Sequence, residues 1–538
     1  MGFLAYGNTL FYPFVHDDVV FIQNNPDIRN FNDLGSLFLK PVLLDQEIAA
    51  ANTYYRPVLD VLYRLQYLFS GPNPFGYHLF NVIVHVINSL LVYQLFSGFK
   101  YRVSLKEFQI WLVGLLFLLH PVQSQAVASI AGVSNLLFSL LCLLSFKFYM
   151  DFREGTAARK IKNLSLSLAC FILALFTKEQ AVVLPLLIVL YELCFDKANI
   201  LKRPRLSALG VYLLTLIGYF LFRQMIGLGS HGEFFSNTFE LVSRLKSIPK
   251  ILLIYLGLIF VPVDLHYYRS IDVLDPAGLF IILFVIVGLA LWRAKVRQAD
   301  DVRRVLCFGL GWFAILLLPV LNFLPLIIEY SSVSVAEHFL YLPLAGFLIF
   351  AVLLLPKKFE QGLIVLGFLI ALIFLAATIK QNTYWRSEVA LFERTVTFEK
   401  KLGRVFILLG KAYYHQKDFD KATASYQRAL AIMQAYAAKV KDPKVKKFYT
   451  DYLKEIHFDL AHCSQDQGDI DLALKEYNEA LLLGPKDIAT MNNISFCYIE
   501  QGRIREAKEL LQNILEIAPD FPPAKNNLEI LNVQTKSK

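Results

Sequence analysis

Long apolar runs recur through the first 380 residues of this chain, at roughly 76–97, 107–120, 130–150, 163–177, 180–195, 206–226, 275–293, 303–325, 338–355 and 359–380, with a shorter one at 249–263. A water-soluble core has no room for that much continuous apolar chain, whereas ~20 apolar residues are what a helix needs to cross a bilayer. The expected fold is all-α, a polytopic membrane bundle of about 11 spanning helices. A hydrophobic fraction of 56% points the same way. The formal charge of +9 raises the question of nucleic acid. Lys and Arg gather instead in short clusters between apolar runs, around Lys100, Arg102 and Lys106, Arg153 to Lys162, Lys197 to Arg205, and Arg293 to Arg304. That is the pattern of cytoplasmic loops, and nucleic-acid binding is excluded. The six cysteines form no CxxC or metal-ligand spacing, so neither a disulfide framework nor a zinc site is expected.

After about Asn382 the apolar runs stop and charged amphipathic helices follow. Gly468, Ala473, Tyr477, Ala480 and Pro485 stand at the spacings of a tetratricopeptide helix pair, and Gly502, Ala507 and Pro519 repeat three of these positions 34 residues later. An earlier copy contains Gly410, Tyr413, Phe419, Ala422, Tyr426 and Ala429, but Ala422 and Ala473 are 51 apart, so an insertion of 17 residues falls in and around Ala435 to Tyr452. Two domains are expected: a membrane domain, 1–381, and an α-solenoid, 382–538, with repeats at about 403–436, 454–487 and 488–521 and a capping helix. Stacked pairs of this kind form a concave surface suited to extended peptide.

Polar residues in or beside the apolar runs are the candidates for chemistry, because each is costly there without a partner or a task. Asp17 and Asp18 follow the apolar stretch Met1 to Val15, which is short for a span and lacks the basic start and small-residue cleavage site of a signal peptide. They belong at a water interface, where a partly desolvated carboxylate suits a general base. Two neighbouring carboxylates also suit a divalent metal. The plain alternative is that they mark the end of the segment. Tyr55 to Phe69 has the period of a helix lying in the membrane interface, and Arg56 at its start suits bidentate grip of a phosphate or simple snorkelling. His78, Asn81, His85 and Asn88 share one helical face, where packed, hydrogen-bonded roles compete with a site. His120, Gln123, Asn322, Glu329, Glu337 and His338 complete the set. Lys178-Glu179 interrupts an apolar stretch and is either a surface turn or a buried functional pair.

The order of motifs is similar to that of the transmembrane and tetratricopeptide-repeat-containing O-mannosyltransferase-like proteins, which have the GT-C glycosyltransferase fold. The matching stretches are HDDVVFIQNNPDI from His16, YRPVLDVL from Tyr55, GYHLFNVIVH from Gly76, HPVQSQAV from His120, TKEQAVVLP from Thr177, NFLP from Asn322 and VAEHFLYLPLAGF from Val335. The resemblance implies transfer of a sugar, mannose first among candidates, from a polyprenyl-phosphate carrier to a Ser or Thr hydroxyl of a protein on the non-cytoplasmic side. It makes Asp17 and Asp18 catalytic. Arg56, Lys178 and His338 then face the donor phosphate, supported by His16, His78, Asn81, His85, His120, Glu179 and Glu337. Family members often carry arginine at the positions of Val133 and His338, so the phosphate grip differs here. The implied setting is a bacterial inner membrane or endoplasmic reticulum with the repeats on the periplasmic or lumenal side, a sidedness that also requires 249–263, bracketed by Pro249 and Pro262, to dip in and return. The rivals are a non-catalytic membrane scaffold that gathers envelope proteins and a transporter of lipid-linked glycan.

Overall fold

The computed structural model describes residues 1–31, 34–39, 55–99, 106–197, 200, 202–228, 238–271, 286–287, 290, 293, 300–321, 335–355 and 360–536. Asn322, Glu329, Lys100, Arg102, the NFLP stretch and most of the run 275–293 lie outside these residues. Among the described residues the chain is helical, with a single isolated β-bridge between Arg269 and Val335. It forms two compact units, Met1–Ala390 and Leu391–Lys538, dividing a little beyond the boundary expected at Asn382.

Among the described residues of the first unit six helices are long and apolar enough to cross a membrane: Pro74–Ser97, Val133–Glu154, Ala158–Thr177, Arg203–Met225, Asp300–Val320 and Glu360–Trp385. A seventh is possible if Glu107–Leu119 and Pro121–Ala128, bent by 44°, count as one. The expected number of about 11 is not confirmed among the described residues, where several apolar runs make helices too short to span. Leu184–Asp196 has 13 residues and Pro343–Leu354 has 12, which at 1.5 Å per residue is ~20 Å or less against ~30 Å of hydrocarbon. Pro343–Leu354 is instead almost wholly buried by its neighbours. The doubtful segment also differs from expectation. Pro249 lies inside a continuous 23-residue helix, Thr238–Phe260, rather than at its start.

The outer helices are unlike the inner ones. Only 17% of the apolar windows of Arg203–Met225 and Glu360–Trp385 is buried, against 61% for Val133–Glu154. Leu213, Leu214, Phe220, Leu221, Leu366, Phe368, Leu372 and Ile373 consequently lie exposed, an apolar perimeter that water would not tolerate. Close approach inside the bundle depends on glycine. A Cβ added to Gly346 would meet the Gly309 carbonyl oxygen and the Trp312 side chain at 2.6 Å, so Asp300–Leu317 and Pro343–Leu354 touch almost backbone to backbone, as small residues allow. Trp312 caps that contact by donating Nε1–H to the Leu342 carbonyl at 3.0 Å. At the end of Val133–Glu154, the buried Arg153 and Glu192 pair at 3.0 Å, with Asp196 and Arg205 beside them.

The second unit is a stack of antiparallel pairs: Gly403–His415 with Phe419–Ala437, Pro443–Asp466 with Ile470–Leu483, and Ile488–Glu500 with Ile504–Ile517, closed by Pro522–Lys536. Asp418, Asp469 and Asp487 cap the helices that follow them by accepting backbone N–H bonds. The turn within each pair needs a left-handed residue. Gly468 and Gly502 supply it with φ +84 and +73, while the first pair uses Lys417 at +62. Ala422, Ala473 and Ala507, the repeated alanines, are all fully buried, and a larger side chain there would force the paired helices apart.

Replacing Gly346 by leucine is expected to destabilise the first unit by ~1–3 kcal/mol or more through overpacking, seen as a lower thermal midpoint in detergent. Gly362→Leu, where an added Cβ meets nothing within 4 Å, serves as the neutral control.

Candidate functional site

The two acidic residues are separated by the backbone before they are separated by chemistry. His16 takes a left-handed φ of +54, held there by its N–H donating to Glu388 Oε1 at 3.1 Å. The chain then turns into the short π-helix Val19–Gln23, and the two carboxylates face different surroundings. Asp18 is 1% exposed. It accepts N–H bonds from Ala131 at 2.7 Å, Val15 at 3.2 Å and Ile130 at 3.4 Å, and the Ser129 hydroxyl at 3.4 Å. Burial pushes its pKa to about 7 although these N–H groups favour the anion. The Asp17 side chain is 46% exposed. It accepts from the Tyr267 hydroxyl at 3.0 Å and lies 3.5 Å from His16 Nε2. Pointing apart, the pair is a poor chelate, and among the described residues no three His, Cys, Asp or Glu side chains converge as metal ligands. No step is assigned to a metal.

The 127–131 segment that holds Asp18 is itself held by the polar face of Pro74–Ser97. Asn81 Nδ2 donates to the Ser129 carbonyl at 2.9 Å, with the Val127 and Ile130 carbonyls at 3.4 and 3.3 Å. Further along, His85 meets the Tyr341 hydroxyl at 2.7 Å and the Leu118 carbonyl at 3.0 Å, and Asn88 donates to the Leu136 carbonyl at 2.9 Å. His78 is buried on the same helix. His120 sits at the 44° bend, where Pro121 ends the preceding helix, and bonds the Ile259 carbonyl at 3.0 Å. Asn81, His85 and His120 satisfy backbone carbonyls where apolar helices break, and Asn88 bonds a carbonyl in the first turn of Val133–Glu154. They brace the site and stand outside its reacting surface.

The expected cations do come together. Lys178 ends Ala157–Thr177 in an extended conformation, φ −158 and ψ 135, and is 5% exposed. The Lys178-Glu179 interruption is thus a break in the helix, with Lys178 buried and Glu179 partly exposed. Arg56, the residue before Pro57–Ser70, pairs with Glu179 at 3.0 Å. Burial would raise the Glu179 pKa, but Arg56 pulls it below the usual value. Lys178 donates to Asn135 Oδ1 at 2.5 Å and lies 5.4 Å over the Phe339 ring. Burial, then the Arg56 charge, holds its pKa well below normal. His338 is lowered by burial and by both Lys178 and Arg56. Arg56 and Lys178 thus both interact with Glu179, and Arg56 also acts on Asp60. Asn135 links them to the acidic pair, since its Nδ2 donates to the Gly132 carbonyl at 3.5 Å, next to the Ala131 N–H that holds Asp18. Val133 is packed into an apolar cluster with Ile22, Leu59, Tyr63 and Tyr77, so no cation stands where relatives of the resemblance carry arginine.

Several residues here escaped sequence reasoning. Arg269 is 3% exposed and binds Asp264 Oδ2 and the Asp264 carbonyl, each at 2.8 Å. Glu337 accepts the His266 N–H at 2.6 Å and lies 3.8 Å from Arg269. The Arg269–Val335 bridge thereby ties the Tyr267 segment to the turn bearing His338. The signal was the dense polar and aromatic run Asp264 to Arg269 directly after Pro262.

Because Asp18 has a raised folded pKa, the folded state binds a proton that the unfolded chain has lost above ~4. Its contribution to stability is present below that value and declines as pH rises toward about 7. Asp18→Asn is expected to flatten this slope of the thermal midpoint between ~4 and 7.

Comparison with known proteins follows from this geometry. Tetratricopeptide-repeat family models match residues 403–436 and 455–528. Over 81% of its length the chain is 24% identical to the protein O-mannosyl-transferase F38B6.6 of Caenorhabditis elegans, covering 62% of that protein. It is 27% identical to human protein O-mannosyl-transferase TMTC4 over 74% of its length and 61% of the relative. With mouse TMTC3 the match covers 97% of this chain and 60% of the relative at 22% identity. The chain thus spans about three fifths of the length of these relatives. The homologues of this chain are TMTC-type protein O-mannosyl-transferases, and, as its motif order implied, it combines likeness to them with tetratricopeptide repeats.

Proposed function

We propose that the chain is a multi-pass membrane enzyme that moves a mannosyl group from a polyprenyl-phosphate carrier to a Ser or Thr hydroxyl of a protein on the non-cytoplasmic face. The observation that carries the reading is the half-exposed Asp17 carboxylate, fixed through buried Asp18, Ala131 and Asn135 to the charged groups of Arg56 and Lys178, with the His338 imidazole beside them. Asp17 takes the hydroxyl proton as the acceptor oxygen bonds to the anomeric carbon. The bond from that carbon to the phosphate oxygen breaks, its electron pair leaves with the phosphate, and the cations stabilise the departing charge. Asp18, saturated by N–H donors, positions Asp17 and does not touch substrate. Burial, and then the Arg56 charge, lowers the basicity of Lys178, and burial, then Lys178 and Arg56, lowers that of His338; a phosphate bound beside them would favour their protonated forms, which supports an anion site. The exposed apolar perimeter supports residence in a bilayer, and the repeat unit supplies a peptide-sized concave surface for the acceptor.

Asp17→Asn should retain membrane insertion and thermal stability but slow transfer from a polyprenyl-phosphate sugar to a Ser/Thr peptide by ~10² to 10⁴; wild-type turnover in this variant would refute the assignment. Removing 391–538 is expected to spare transfer to a short peptide and to weaken transfer to a long acceptor, because the repeats add binding remote from the chemistry. Loss of both activities together would mean that the repeats complete the membrane unit.

A further inference from the structure

The insertion in the first repeat is spent on helix, not on loop. Ala422 and Ala473 are 51 residues apart where Ala473 and Ala507 are 34 apart. The excess lengthens Phe419–Ala437 to 19 residues and Pro443–Asp466 to 24, beside 13 in Gly403–His415 and 14 in Ile470–Leu483. The result is a helical hairpin that extends past the ends of its neighbours. Stacking does not require it, because the later pairs close their cores without such an extension.

The tip has an unusual composition. Between Gln434 and Thr450 there are five lysines, no arginine and one acidic residue, Asp442. Lys439, Lys441, Lys446 and Lys447 are exposed. Elsewhere in this unit several lysines pair with acids, as Lys411 does with Glu455 and Lys454 with Asp487. Rings accompany the charges. Tyr436, 38% exposed, stacks on Tyr449 at 6.0 Å, and Phe448 meets Tyr452 edge-on at 4.8 Å.

We propose that this tip is a membrane foot, in which Lys439, Lys441, Lys446 and Lys447 engage anionic lipid headgroups while Tyr436 and its neighbours settle at headgroup level. The proposal rests on the reading of the chain as a membrane protein. Two features select lipid over an acidic protein partner. Protein interfaces favour arginine and deplete lysine, whereas lysine clusters suffice for the diffuse charge of an anionic bilayer. Tyrosine is the residue enriched at the membrane–water boundary.

The test is amide hydrogen exchange of the full chain in liposomes of phosphatidylcholine alone or with added phosphatidylglycerol, at about 0.1 M salt. Amides across 436–447 should exchange about ten-fold more slowly with the anionic lipid, and the difference should vanish in the variant Lys439→Gln, Lys441→Gln, Lys446→Gln, Lys447→Gln. That variant must keep the exchange pattern of Ile488–Ile517, which shows that the unit is folded. Equal exchange in both lipids overturns the proposal. Protection by a soluble polyglutamate peptide but not by phosphatidylglycerol overturns it in favour of an acidic protein partner. Failure of the chain to float with phosphatidylcholine liposomes would remove the membrane reading itself, a result distinct from floating without protection.

Discussion

The buried carboxylate of Asp18 is the constraint on which the first unit turns. It joins the opening segment to the break between Pro121–Ala128 and Val133–Glu154 by accepting three backbone N–H bonds and a hydroxyl. Those N–H groups belong to irregular chain packed among apolar helices, where an unpaired donor costs ~1–3 kcal/mol. The carboxylate satisfies them together, and in return its own desolvation is partly offset. Asp17, one residue earlier, is thereby held outward on a segment whose left-handed His16 cannot relax without breaking the same contacts.

Short helices are what make room for this chemistry. A bundle of full-length spans would present only apolar side chains at depth. Here helices end among packed neighbours, at Leu119, Thr177 and Leu317, and each end frees backbone carbonyls and N–H groups that must find partners. Asn81, His85 and His120 supply them. The same stops bring Lys178, Glu179 and His338 together with Arg56. Bracing residues and reacting residues are therefore drawn from the same polar set, and what separates them is whether their polar atoms are already used by the backbone.

The repeat unit follows another principle. Its energy lies in small residues that let helices approach, with Gly410 against the Tyr426 ring and Ala422, Ala473 and Ala507 fully buried. Because each pair contacts its neighbours in succession, an insertion at the junction of the first two pairs lengthens the two helices that meet there without disturbing the later ones. That tolerance is what allows an extended, lysine-bearing tip to exist on an otherwise regular stack.

The apolar runs, the repeat spacing and the insertion were legible in the sequence because each is a periodic or compositional pattern that one chain segment carries alone. The candidate residues Asp17, Asp18, Arg56, Lys178 and His338 were legible for a related reason: a charge beside an apolar run is conspicuous whatever it packs against. How many runs are long enough to cross was not, since helix ends depend on tertiary partners, and Pro249 could be absorbed into a continuous helix that the sequence alone divides. Nor did one-dimensional order reveal that adjacent aspartates have opposite environments, because burial of Asp18 depends on residues more than a hundred positions away. Arg269, Asp264 and Tyr267 were missed for that reason as well. Local sequence determines which groups are costly to bury; only the packed structure decides which of them acquire partners and which stay free to meet a substrate.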